Sequence, residues 1–292
     1  MDNVLEIKYD GKPCYKIALE HDYSRLSEYV DDIEKKYGRI CIVSDTNVAP
    51  LYLEQVREAL AHNVSEITDF VFTAGEASKN LNVVEDLYEF LVRSHLDRHD
   101  LLVALGGGVV GDLCGFAAAT YLRGIDFIQM PTSLLSMVDS SIGGKTGVDF
   151  RAFKNMVGAF YMPRLVYMNL SVLRSLPPEQ FASGMGEVIK HGLIADKDYL
   201  DFLIKDREKI SAFDPDSILH VVKRSCEIKG HVVVGATLAL TLSLLYTVPP
   251  KSSTRTVSLP SSFLSLSDTS HTSNRPSLMT AEGRTSLNAS RI

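Results

Sequence analysis

"DLLVALGGGVVGDLCGFAAATYL", residues 100–122, decides the fold. Leu101 to Leu105 form an unbroken apolar run, without the alternation of a strand that has one wet face. Such a run predicts a parallel strand buried on both sides. Three glycines break it, and the small and apolar residues that follow predict a buried helix. Strand, glycine turn and helix make half of a βαβ unit. Gly106, Gly108 and Gly111 also satisfy G-x-G-x-x-G, in which free backbone N–H groups and the positive end of a helix can meet a phosphate. Tight strand–turn–helix packing would need the same glycines. The motif follows an internal strand, so it is not the usual opening of a Rossmann domain.

The flanking segments extend the pattern. "YKIALE" (15–20) alternates as a strand, residues 23–37 read as an acidic amphipathic helix, and "RICIVSD" (39–45) is a second buried strand closing on Asp45. "TNVAPLYLEQVREAL" predicts a helix, "EITDFVFTAG" a strand, "NLNVVEDLYEFLVRSHL" a helix and "IDFIQMPTS" another strand. Strands and helices alternating in this way predict a mostly parallel, Rossmann-like α/β sheet over residues 1–170. Beyond 170, "SLPPEQFASGMGEVIKHGLI", "KDYLDFLIKDREKI" and "PDSILHVVKRSCEIKGHVV" read as successive helices without a strand between them. An all-helical domain is expected to start at 171 and to break off, truncated, at 231. From 232 the chain changes character. "VVVGATLALTLSLLYTV" is apolar but short and laced with Thr, Ser and Gly for a membrane span. The Ser- and Thr-rich remainder to 292 has the composition of a disordered tail.

Bulk properties narrow the function. The chain has 292 residues, 45% hydrophobic and 23% charged, the proportions of a globular protein. A net charge of −6 gives no global attraction to nucleic acid or to anionic membranes. Residues 235–292 hold two acids against five bases, so the rest is more acidic than that average conveys. Four cysteines without a C-x-x-C pair argue against a zinc ribbon or a disulfide scaffold. With no secretory signal pattern at the N-terminus, the expectation is a cytoplasmic protein.

Two further stretches carry possible chemistry. Residues 130–160 crowd Thr132, Ser133, Asp139, Ser140, Ser141, Lys145, Thr146, Lys154 and Asn155 around glycines, which suits a phosphate or several substrate hydroxyls. A solvated loop would show similar residues, and "GGKTG" lacks P-loop spacing. In "SGMGEVIKHG" (183–192), Glu187, Lys190 and His191 fall at i, i+3 and i+4, on one helix face. They point to a metal or an anionic substrate, although one Glu cannot hold a catalytic ion alone. His191 is a possible second donor or a plain polar residue. His95 and His99, in a charged segment, read as solvent-facing. Asp126 lies where a ribose-binding acid would fall after the glycine motif, but Asp45 is the better strand-end acid.

"GEASKN", "LGGGVVGDLCGFAAATYLRGIDFIQMPTSLLSMVDSSIGGKTGVD", "KNMVGAFYMP" and "LPPEQFASGMGEVIKHG" together resemble the 3-dehydroquinate synthase family over residues 1–231. The resemblance implies a carbon–oxygen lyase with an NAD-binding α/β domain, a helical domain carrying zinc or cobalt, and substrate in the cleft between. It implies that Asp45 and Asn47 contact the adenosine side of NAD, that Glu76 and Lys79 lie along the cofactor, and that Gly107, Gly108, Gly111 and Asp112 cradle the pyrophosphate. Thr132, Ser133 and Lys154 complete that set. Asp139, Lys145, Asn155 and Lys190 would serve substrate and catalysis, and Glu187 would be a metal ligand. The implied reaction turns 3-deoxy-D-arabino-heptulosonate 7-phosphate into 3-dehydroquinate and phosphate, a step toward aromatic amino acids in the shikimate pathway. NAD oxidises a hydroxyl, the resulting ketone acidifies its neighbouring C–H so that phosphate leaves, and reduction, ring opening and an aldol closure follow. The partner is thus a phosphorylated sugar, and a homodimer is a further implication.

The family's two histidine ligands, in "GHTxGHA"-like and "LHGEAV"-like helices, have no counterpart here; His231 and His271 stand outside such motifs. The break at 231 suggests a shifted frame, a retained intron or an alternative exon, and an ion bound weakly if at all. Alternatives are a related sugar-phosphate cyclase, a glycerol-dehydrogenase-like oxidoreductase and a non-catalytic NAD-binding remnant.

Overall fold

A computed structural model of the protein describes residues 3–247 apart from Asp10. The stretch read as a disordered tail lies, from 248 onward, outside the described residues.

The chain opens with β1 (Val4–Tyr9) and β2 (Lys12–Glu20), paired antiparallel. It continues through α1 (Leu26–Asp31), β3 (Arg39–Asp45), α2 (Ala49–Leu60), β4 (Glu66–Phe72), α3 (Leu81–Arg93), β5 (Leu101–Gly106), α4 (Gly108–Thr120) and β6 (Asp126–Pro131). A hairpin of β7 (Lys145–Phe150) and β8 (Phe153–Phe160) stands apart from the sheet, and β9 (Leu165–Asn169) returns to it. Helices α5 (Pro178–Ala195), α6 (Lys197–Lys205), α7 (Arg207–Ser211) and α8 (Pro215–Thr247) follow.

The seven-stranded sheet has the order β1-β2-β9-β6-β5-β3-β4 and is parallel except for β1. The Rossmann-like, mostly parallel α/β expectation is therefore met. β3 lies between β4 and β5, so the chain leaves β3 in one direction and returns across it before going on. That reversal opens a crevice at the carboxyl ends of β3 and β5, where α/β sheets bind ligands. Burial explains the unbroken apolar runs. Leu101, Val103 and Leu105 of β5 belong to the core on one face, and Leu102 and Ala104 to the core on the other.

α4 is the most enclosed helix. A Cβ on Gly115 would come within 2.5 Å of Thr146 Cγ2 on β7 and 3.2 Å of the Phe127 ring on β6, so the helix is wedged between hairpin and sheet. The helical part adds to the first core rather than building its own: Val188, Tyr199, Leu203, Val221 and Cys226 join β-sheet residues in one cluster. Residues 1–247 form one compact unit.

Three expectations change. The helix read over 23–37 is only α1, because Lys35 and Tyr37 turn back to Asp126, with Lys35 Nζ 2.8 Å from its carboxylate. The lysine-rich stretch is not a loop but a hairpin. The break placed at 231 falls inside α8, which runs on to Thr247 because no proline interrupts its Ala- and Leu-rich sequence before Pro249. Among the described residues no helix is long and apolar enough to cross a membrane.

Candidate active site

The carboxyl ends of four adjacent parallel strands supply one side of the site. After β3, Asp45 is buried and its Oδ1 accepts from the backbone N–H groups of Asn47, at 2.9 Å, and Val48, at 3.0 Å. Asp45 thus shapes the turn that presents Asn47. After β4 comes a short turn carrying Glu76, followed by Lys79. After β5 comes the glycine turn, and after β6 Thr132, whose N–H donates to Gly106 O at 3.0 Å. Ser133 Oγ pairs with Ser136 Oγ at 2.9 Å and faces Gly107. Asp126, by contrast, lies at the opposite end of β6, paired with Lys35.

The glycines have distinct reasons. A Cβ on Gly108 would stand 3.1 Å from Ser140 Oγ, and one on Gly111 would stand 3.3 Å from Gln129 Nε2. Both positions need the missing side chain so that polar groups can pack under the first turn of α4.

Lys79 ties this edge to the hairpin. Lys79 is 5% exposed, and its ammonium group donates to Asp112 Oδ2 and Asn155 Oδ1, both at 2.6 Å. Burial pushes the Asp112 carboxyl above its ordinary range, and the Lys79 charge opposes that shift. Asn155 sits at φ +56°, a left-handed conformation costly for a residue with a side chain, and its N–H donates to Asp149 Oδ1 at 2.7 Å. The Asp149 N–H in turn donates to Lys79 O at 2.8 Å. Lys154, exposed, pairs with Glu76 at 3.0 Å.

Beside this junction lies a cleft of about 510 Å³, lined by Asp112, Asp139, Lys145, Asn155, Phe160 and Lys229 among others. Asp139 is ion-paired with Lys229 of α8. Near them on α5, Glu187 Oε1 accepts from Lys190 Nζ at 2.7 Å and lies 3.4 Å from His191 Nε2. Burial lowers the His191 pKa, and the charges of Glu187, Lys229, Lys190 and Asp139 all reach the ring. These five groups therefore share one neighbourhood. Among the described residues no group of three His, Cys, Asp or Glu side chains is placed to hold a metal ion.

Sequence reasoning passed over Lys229 and Asp149. Lys229 could have been noticed as a charge continuing the inward stripe Val222–Cys226 at helical spacing; Asp149 left no comparable signal.

Comparison with known proteins decides the family. Residues 69–183 match the family model for the 3-dehydroquinate synthase N-terminal region, and 184–238 match the C-terminal one, together more than half of the chain. The chain belongs to the 3-dehydroquinate synthase family. Over 219 residues it is 43% identical to the 3-dehydroquinate synthase of Acetivibrio thermocellus, covering 75% of this chain and 61% of that protein. It thus spans about three-fifths of the length of the curated relatives it matches. Among solved structures it resembles 2-deoxy-scyllo-inosose synthase complexed with carbaglucose-6-phosphate, NAD+ and Co2+, with TM-score 0.73 and 27% identity over 79% of this chain and 62% of that one. The 2-epi-5-epi-valiolone synthase of Streptomyces hygroscopicus subsp. jinggangensis, with NAD+ and Zn2+ bound, gives TM-score 0.67 and 27% identity over 84% and 66%.

Proposed function

We propose that this chain carries the dinucleotide and phosphate-binding machinery of a 3-dehydroquinate synthase, an NAD-dependent lyase acting on 3-deoxy-D-arabino-heptulosonate 7-phosphate. The observation that carries the reading is the Lys79–Asp112–Asn155 junction, which joins the glycine turn and the lysine-bearing hairpin in one cleft.

The residues fit a dinucleotide. The glycine turn puts the N-terminus of α4 at the carboxyl end of β5, and Asn47, Glu76, Thr132 and Ser133 follow the carboxyl ends of β3, β4 and β6 in the same sheet. Bound there, the nicotinamide supplies reversible hydride transfer. Lys145 and Lys229 present ammonium groups to the substrate phosphate, with Asp139 orienting Lys229. The Asn155 amide offers a hydrogen bond to a substrate hydroxyl, Lys154 stays near Glu76 on the cofactor side, and Lys190 adds a charge from α5. Departure of phosphate breaks a carbon–oxygen bond, and clustered ammonium groups stabilise the charge that develops on the leaving oxygen.

Glu187 with His191 offers at most two donors to a divalent ion, and Glu187 is already engaged by Lys190. The described residues alone therefore do not complete a metal site, and no step is assigned through one. This favours a second reading, an NAD-binding remnant without turnover. The proposal places the protein in the cytoplasm, in keeping with four free cysteines, and allows a homodimer.

The test is an NADH fluorescence titration followed by measurement of inorganic phosphate released from the heptulosonate phosphate with added Co2+. Binding with phosphate release supports the synthase. Binding without release supports the remnant, and no binding rejects both.

A further inference from the structure

Gln129 is a buried amide in the middle of an apolar strand, between Phe127, Ile128 and Met130. It is 5% exposed, and among the described residues its Oε1 has no hydrogen-bond partner. An unpaired buried amide is costly, so a residue at such a position has a polar group to meet. Its side chain lines a small cavity of about 10 Å³ under the glycine turn, close to the space one water occupies and too little for a phosphate group. Ser140 lines the same cavity, its Oγ directly beneath Gly108. Asp112 and Ser140 also line the large cleft, so the cavity lies between that cleft and the glycine turn, against Gly106, Gly107 and Gly108.

We propose that Gln129 and Ser140 hold an ordered water beneath the glycine turn, which hydrogen-bonds the phosphate edge of the dinucleotide. The inference rests on the NAD reading given above. The water donates one proton to Gln129 Oε1 and the other to a phosphate oxygen, and accepts from the Ser140 hydroxyl. Gln129 is thus a positioning residue, and the absent Cβ of Gly111 makes room for its amide. Such a bridge is nearly as favourable as a direct hydrogen bond.

The experiment compares the full-length wild type with Gln129→Met, Ser140→Ala and Gln129→Glu by NADH titration and thermal melting. Gln129→Met is expected to weaken NADH binding about five- to tenfold while leaving the melting temperature unchanged or higher, since an unpaired amide is removed. Ser140→Ala is expected to weaken binding in the same direction. Gln129→Glu sets a carboxylate against the phosphate, so its NADH affinity should tighten toward acid pH where the wild type does not. Unchanged affinity with a lower melting temperature would make Gln129 merely structural and overturn the inference. A crystal structure of the unaltered protein with NAD is the second measurement. A water on both Gln129 Oε1 and Ser140 Oγ supports it; a dry cavity, or a phosphate oxygen directly on Gln129, overturns it. A wild type that does not bind NADH rejects the dinucleotide reading and takes this inference with it.

Discussion

The sheet-side wall of the cleft and the α5 face near it are built on different principles. On the sheet side, Lys79 is buried and meets Asp112 and Asn155, which belong to α4 on the sheet and to the hairpin packed on α4. On the α5 side, Lys190 has a side chain 57% exposed and, among the described residues, pairs with Glu187 one turn away on its own helix. The same helix leaves Leu193 and Ile194 largely in solvent. The sheet-side wall is held by contacts between elements distant in sequence, the α5 face by a local pair. Charge chemistry can therefore look alike on both sides while its structural weight differs.

Lys79→Met should break the comparison most sharply. It leaves Asp112 buried without a counter-charge, which costs about 3–5 kcal/mol in chemical denaturation near neutral pH. The Asp112 pKa is already raised, so its ionised form is the destabilised one. The deficit should shrink as pH falls toward about 4, the ordinary carboxylate value, and grow as pH rises. A pH-independent loss would show that packing, not charge, holds this wall. Gly115→Ala tests the wedge behind it: the new methyl meets Thr146 and Phe127, and overpacking costs about 1–3 kcal/mol by the same assay. If Gly115→Ala were neutral, the hairpin could yield, and the sheet-side wall would be softer than its hydrogen bonds suggest. Lys190→Met should do least, under about 1 kcal/mol, as for other exposed pairs within one helix. A loss as large as that of Lys79→Met would erase the distinction.

Legibility followed burial. β3, β5 and β6 were readable because two buried faces leave no room for polar residues, and an unbroken apolar run is the result. The alternation in β2 was readable for the same physical reason, applied to fewer positions. β1, β9 and the β7–β8 hairpin were passed over: the hairpin's glycines and lysines imitate a loop, and β9 was missed although it is buried throughout. α1 was drawn too long because amphipathic spacing continues past Asp31, while the tertiary pull of Asp126 on Lys35 and Tyr37 is invisible to a local pattern. Within the site, the glycine turn and the Glu187–Lys190–His191 face could be argued from spacing alone. Lys79 and Asp112 were named through the family resemblance, and Asn155 stood out only as one polar residue of the 130–160 stretch, since no local pattern links residues so far apart. Asp45 shows a subtler gap: its position at the strand end was legible, but not that its carboxylate is occupied by its own turn.

Asp149 has a mechanical consequence. It grips the backbone of Lys79 with its own N–H and the backbone of Asn155 with its carboxylate. The hairpin tip and the ammonium group are thus fastened together like two pieces on one rivet. A tug on the tip cannot leave Lys79 behind.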